Sequence, residues 1–379
     1  MGAVGERGNE SRVVKDDVLL FAAPVWSDGV TESPEGRDPK IFEVRSGLPA
    51  SRRRSRAIAE LAILALNLVI WAGLFAAALT SDALWLKLLF GALVGVATGT
   101  TFVIGHDASH GSLTPYRTLN RFCARLAFLP SWHVNTLWDI GHNKLHHGWT
   151  NLRVPDYAYA PPTVEEFAHW PWHKRVMRRI YHTIPGLSFF YLLEVWWPHI
   201  VLSTSLEKPH IKSFATLNFE RTLIFAFVGL QVWLAAQFGV WGAKGGWMLA
   251  AEIAISILWP FYVWNWVMTF VTLQHHTHPR VRWYDNEKEW SFYRSQVCGT
   301  VHMKFPRIIE LLFANIFEHT AHHVDKAIPL MNLPVVQRDL EASYSRDIVV
   351  EQGSLRHLRM ILRECQLYDY QEKKWLRFP

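Results

Sequence analysis

Cysteine is scarce in this 379-residue chain: Cys123, Cys298 and Cys365 stand far apart. Three scattered thiols make neither a disulfide framework nor a thiolate metal site, and their expected state is buried or idle. Charge is also thin, with 19% of residues charged and a formal net charge of +6. No nucleic-acid motif accompanies that modest excess, so a basic membrane face is the simpler reading and a nucleic-acid partner is not expected. Residues 1–50 hold no apolar core of the kind a secretory signal needs. The chain has no Rossmann fingerprint, no flavin motif, no fused haem domain and no internal repeat.

Apolar and aromatic residues are plentiful: half the chain is hydrophobic, and there are 19 Trp. Amphipathic rings collect at membrane interfaces. Residues 57–79, 84–105, 222–241 and 247–273 are each apolar over about the 20 residues a bilayer requires. They carry at most one charge apiece: Glu60, Lys87, none and Glu252. Short polar connectors join the first two and the last two, which predicts two transmembrane hairpins. Arg52, Arg53, Arg54 and Arg56 precede the first span and place the N-terminus in the cytoplasm. A fifth apolar stretch, residues 184–204, holds Pro185, Glu194, Pro198 and His199, and reads as interfacial or re-entrant. Residues 121–138 read the same way, with a further hairpin formed by the two as the alternative. Residues 170–181 read as an amphipathic surface helix.

Histidine is the residue that carries chemistry. Three clusters stand at the edges of hydrophobic stretches: His106 and His110; His142, His146 and His147; His319, His322 and His323. Neutral imidazole is the commonest nitrogen ligand for a transition metal. Helical residues four apart share a face, so each cluster is expected to present its imidazoles in one direction. All three clusters return to the same membrane face, which predicts a shared centre. Eight imidazoles exceed what one four-coordinate zinc needs, whereas a pair of ions uses them all. Spacing alone does not choose among iron, copper, zinc and nickel. Asp107, Asp139, Glu318 and Asp325 are candidates to orient ligating rings through the second ring N–H, or else serve as helix caps and surface charges.

The boxes HDASH, HNKLHH and HTAHH, in this order and separation, resemble those of membrane fatty-acid desaturases over roughly residues 55–335. The strings Gly105-His106-Asp107, Leu273-Gln274-His275, Glu318 to Asp325 and Ile328-Pro329-Leu330 resemble the delta-12 (omega-6) acyl-lipid subgroup. The resemblance implies two iron ions held by nine histidines, with the ninth at the end of the last span. His275 suits that place if the strings align without a gap, and His276 suits it if one residue is inserted; His278 stands nearby. It also implies dioxygen as co-substrate, an acyl-lipid substrate, and a separate electron donor such as a ferredoxin or a b-type cytochrome. Such a donor could dock on the basic stretch from Lys174 to Arg179, which anionic lipid headgroups could equally contact. A fatty-acid or alkane hydroxylase or carotenoid ketolase on the same scaffold is the nearest alternative, and a metal transporter a more distant one.

The expected architecture is therefore an all-α integral membrane protein. Four transmembrane helices form two hairpins, joined by interfacial helices and a cytoplasmic helical cap that holds a histidine-ligated dimetal site. The expected divisions are a flexible segment over residues 1–50, a membrane domain over 51–335 and a helical tail over 336–379, with the active site on the cytoplasmic side.

Overall fold

The computed structural model describes residues 38–379. Four helical runs are long and apolar enough to cross a bilayer, and they cover Ala50–Thr80, Leu84–His110, Phe214–Phe238 and Gly246–His276. Residues 1–37 of the expected flexible segment lie outside the described residues. The remainder of that segment is packed: α1 (Ile41–Ser46) buries Val44, and Arg45 Nε donates to the Val324 carbonyl at 2.7 Å.

α2 (Ala57–Thr80) and α3 (Leu84–His110) are joined by a tight connector and pack along each other. α3 is the central helix, with 67% of its most apolar window buried against 17–22% in the other runs. Its sequence explains the placement. Gly91, Gly95 and Gly99 recur every four residues and form one smooth stripe. A Cβ on Gly95 would lie 2.6 Å from Val263 Cβ, and one on Gly99 would lie 2.9 Å from Val267 Cγ1. Only the missing side chains let the last long helix approach so closely.

α4 (Arg117–Phe128) and α5 (Asn135–Trp138) follow, and α5 runs directly into a π-helix over Asp139–His146. α6 (Val164–His169) and α7 (Trp172–Tyr181) precede the fifth apolar stretch. That stretch forms α8 (Leu187–Phe190) continued by a π-helix over Tyr191–Leu202, and it ends at Ser203 with φ 63°. At Leu187–Leu202 it is shorter than the four long runs. α7 is less of a surface helix than its charges suggest, because Arg178 is buried.

The third long run, α9 (Phe214–Phe238), begins earlier than its hydropathy implies, because the Ser213 hydroxyl accepts the Thr216 N–H and starts the helix. The fourth run is continuous but not uniform: α10 (Gly246–Ile253), a π-turn over Ala254–Leu258 and α11 (Trp259–His276). Beyond it lie α12 (Arg307–Leu312), α13 (His319–Val324), α14 (Leu333–Ser343) and α15 (Leu355–Glu364).

The all-α expectation needs one correction. β1 (Val301–Lys304) pairs in parallel with β2 (Val349–Gln352), with Val301 opposite Val349. β3 (Leu367–Asp369) pairs antiparallel with β4 (Lys374–Leu376). Residues 336–379 are thus helix and strand mixed, packed on a core that includes Trp283, Val297, Leu333, Ile361 and Tyr368. All three cysteines are free and buried.

Candidate metal centre

Nine imidazoles converge in two groups. His106, His110, His142, His147 and His322 form one, and His146, His276, His319 and His323 form the other. Within each group the ligand nitrogens lie within 4.8 Å of one another. The groups abut, with the His147 and His323 ring centroids 4.3 Å apart.

Only the first sequence cluster stays together, and backbone geometry divides the other two. The second cluster sits on a π-helix, which bonds residues five apart rather than four and winds about 4.4 residues per turn rather than 3.6. The His147 N–H accordingly bonds to the His142 carbonyl at 3.0 Å. The wider turn swings His147 back toward the face of His142, from which α-helical winding would turn it well away, and His142 and His147 enter one group while His146, on the other side of the turn, enters the other. The expectation that each cluster faces one way fails here because it assumed α-helical periodicity. In α13, His319 and His323 are four apart and share the second group, while His322 reaches the first.

At the end of α11, His276 joins the second group, its Nε2 2.9 Å from His319 Nε2. His275 is outside both groups: it stacks on the His319 ring at 3.7 Å, with its own Nε2 unpartnered. His278 is further away, with Nε2 3.2 Å from Glu351. Adjacent residues on a helix point about 100° apart, so no more than one of His275 and His276 can aim at the same point.

The expected orienting acids are correspondingly displaced. Asp107 bonds to Ser112 and to the Leu330 N–H. Asp139 accepts from Asn143 at 2.5 Å, and Asp325 from Arg53 Nε at 2.6 Å. Glu318 lies 2.7 Å from His302, a histidine outside the boxes. Among the described residues, none of these four carboxylates is hydrogen-bonded to a ring of the two groups. Other residues do. Asp156 Oδ1 stands 3.0 Å from His146 Nδ1, and Gln296 Oε1 stands 2.7 Å from His323 Nδ1. Thr150 Oγ1 is 3.3 Å from the same His323 nitrogen. A ring nitrogen held this way fixes the tautomer and leaves the opposite nitrogen free to ligate. No spacing rule ties Gln296 to His323, and Asp156 lies beyond the helix that carries His146, so neither was visible in the sequence.

The donor set suits metal ions. At metal–nitrogen distances of about 2.0–2.1 Å, ligands at right angles stand about 2.9 Å apart. The observed Nε2 pairs span 2.7 Å (His106 to His142) to 3.2 Å (His106 to His110). Burial, reinforced by neighbouring imidazoles, holds His142, His147, His319, His322 and His323 well below the ordinary histidine range. They are therefore neutral near pH 7, which is the ligating form. Among the described residues, the Nδ1 atoms of His106, His110, His147, His276 and His319 have no hydrogen-bond partner, as expected if Nε2 is the nitrogen turned inward.

An apolar cavity of about 780 Å³, including its open mouth, reaches these rings. His106, His142, His146, His276 and His319 line one part, and Phe102, Trp138, Trp264, Val267, Met268 and Phe313 line much of the rest. Trp138 stacks on His142 at 4.5 Å and carries the aromatic wall to the edge of the site. The apolar cavity thus opens onto the two adjacent nitrogen-lined positions.

The family model described as fatty acid desaturase matches residues 83–352. The chain is 30% identical over 304 residues to the sn-1 oleoyl-lipid 12-desaturase of Picosynechococcus sp., an alignment covering 77% of this chain and 80% of that protein. It is 29% identical over 282 residues to the protein of the same name from Synechocystis sp., covering 73% and 74%. It is 28% identical over 279 residues to the chloroplastic omega-6 fatty acid desaturase of Spinacia oleracea, covering 73% of this chain and 58% of that one.

Proposed function

The chain belongs to the fatty acid desaturase family, and from that premise we propose that it converts an oleoyl-type chain, esterified in a membrane lipid, to a chain with a second double bond at the delta-12 position. As a fatty-acid desaturase it is an integral membrane oxidoreductase. The relatives named for oleoyl-lipid 12-desaturation support the finer substrate reading. The observation that carries the chemistry is the division of nine imidazoles, six buried and three half-buried, into a five and a four beside an apolar cavity.

We assign one iron to each group, with His276 as the ninth ligand. Removing hydrogen from unactivated methylenes exceeds what any side-chain acid or base can do, and bound iron with dioxygen would supply that oxidising power. The protein's own residues do the rest. Phe102, Trp264, Val267 and Met268 exclude water and grip the methylene chain, which turns a flexible tail into one presented carbon pair. Asp156 and Gln296 hold the His146 and His323 rings in one tautomer and one direction. Trp138, stacked flat on His142, prevents that ring from rotating. Electrons come from a separate donor, for which exposed Arg175 and Arg179 of α7 offer a basic landing site. The two pairs of long helices cross the membrane as hairpins, with the histidines at the cytoplasmic ends.

Expression in a host that makes oleate but no diunsaturated chains, followed by fatty-acid profiling, tests the reaction. A new double bond is expected, and a product retaining oxygen would overturn the reading. H276A is expected to lose bound iron and activity, whereas H275A retains most of its iron. The reverse pattern would refute the ligand assignment.

A further inference from the structure

A second cavity, of about 1120 Å³ including its mouth, lies beside the metal cavity. Tyr157 lines both, so the two cavities share a wall residue. The second cavity is chemically different. Arg153, Lys174 and Arg178 enter it beside Trp170, Tyr181 and Phe190. Its walls thus combine cations with aromatic surface, as an amphipathic ligand requires.

Arg178 is the unexplained residue. It is only 6% exposed, yet its Nε and one terminal nitrogen have no partner among the described residues. The guanidinium rests against the Tyr159 and Phe190 rings, 5.3 and 5.9 Å from their centroids. The two carboxylates of the wall are already occupied. Glu166 is taken by Arg153 and by the N-terminus of α6, where it completes a capping box with Thr163. Glu194 accepts from Tyr181 Oη at 2.9 Å. One turn before Arg178 on α7, Lys174 Nζ sits 4.0 Å above the Trp170 ring. A buried guanidinium without an anion is costly, and its planar fork matches a phosphate.

We propose that this cavity binds the phosphate of an anionic acyl-lipid headgroup, with Arg178 as the main ligand and Lys174 assisting, while the acyl chain passes Tyr157 into the metal cavity. The assignment rests on the desaturase reading for what happens to the chain, and on the cavity alone for what is bound. It makes the enzyme selective for lipid carriers with a phosphate anion over neutral ones. The aromatic lining and the shared Tyr157 wall favour a lipid phosphate over free phosphate, which would need neither.

The test uses the full chain purified in detergent and native mass spectrometry with three probes: dioleoyl phosphatidylglycerol, dioleoylglycerol and inorganic phosphate. Wild type is expected to bind the phosphatidylglycerol at least tenfold more tightly than the dioleoylglycerol. R178Q is expected to lose at least tenfold in phosphatidylglycerol affinity with dioleoylglycerol binding unchanged. R178K, which keeps the charge but not the fork, is expected to fall between. Should R178Q fail to fold, R178K decides: weakened phosphatidylglycerol binding supports the site, and wild-type binding overturns it. Phosphatidylglycerol binding by folded R178Q equal to wild type would overturn the proposal. So would inorganic phosphate displacing the lipid at comparable concentration. The two readings fail separately. Tight phosphatidylglycerol binding without desaturation of its chains by the reconstituted wild type would sink the reaction but not the site. Normal desaturation with headgroup-indifferent binding would sink the site but not the reaction.

Discussion

Breaking the ion pair between Lys87 and Glu252 should loosen the helix assembly without reaching the chemistry. Both side chains are 0% exposed, and Lys87 Nζ stands 2.7 and 2.9 Å from the two Glu252 oxygens. The same ammonium donates to the Ala78 carbonyl at 2.9 Å and the Leu79 carbonyl at 3.2 Å, at the end of α2. Glu252 in turn accepts from Ser256 Oγ at 2.5 Å and from the Trp241 and Gly242 N–H groups at 3.1 and 3.3 Å. One buried pair thus ties α2, α3, α10 and the turn after α9. Removing one partner of a buried pair strands the other charge, at about 3–5 kcal/mol. K87M should lie in that range, because the carboxylate keeps three donors but no cation. E252Q should cost less, about 2 kcal/mol, because the ammonium keeps two carbonyls and the amide oxygen can still accept. K87M/E252Q should recover most of the loss and end within about 1–2 kcal/mol of wild type, since no unpaired charge remains. SDS-driven unfolding in mixed micelles, read by tryptophan fluorescence, measures all four corners of the cycle. Additive losses in the double variant would refute the reasoning. Activity per folded molecule should be unchanged in all three, because Lys87 and His106 are 19 residues apart on α3, about 28 Å along a helix.

D156N should lower iron affinity about 10- to 100-fold by releasing the His146 ring, and metal content after dialysis checks this. G95A should cost about 1–3 kcal/mol by pushing α3 away from α11. G73A, where a Cβ would meet nothing within 4 Å, should be neutral or stabilise by up to about 1 kcal/mol; the same micelle unfolding compares the two. Burial would raise the Glu207 pKa, but hydrogen bonds from His199 and Thr204 outweigh it and hold the carboxyl below its ordinary value of 4.5. Its contribution is therefore complete above about pH 4.5 and is lost as pH falls through the depressed native value. The Tm gap between wild type and E207Q should stay constant from pH 7 to about 5 and narrow below; a gap that narrows on raising the pH would contradict this.

Much of the site was legible in local pattern. Long apolar runs and eight boxed histidines are written consecutively, and bilayer thickness and imidazole chemistry give them meaning without any knowledge of packing. The start of α9 escapes hydropathy, which does not see a serine cap. Arg178 reads as a surface charge in the sequence, because an amphipathic pattern does not reveal what covers its polar face. The glycine stripe of α3 is equally local, although its partner on α11 is not.

The sequence by itself determined that this chain has four membrane-length helices and carries histidine boxes for a metal centre, because both properties depend on residues near one another. Only the tertiary structure decided how the boxes divide. A π-helix, a backbone choice that residue periodicity does not encode, brings His147 round to His142 and leaves His146 to the other group. The rotation of α11, set by its packing on the glycines of α3, aims His276 rather than His275 at the second group. Asp156 and Gln296 became orienting residues because folding brought them to ring nitrogens that no spacing connects to them. Ligand identity here is a matter of direction, and direction is fixed by contacts between segments far apart in the chain.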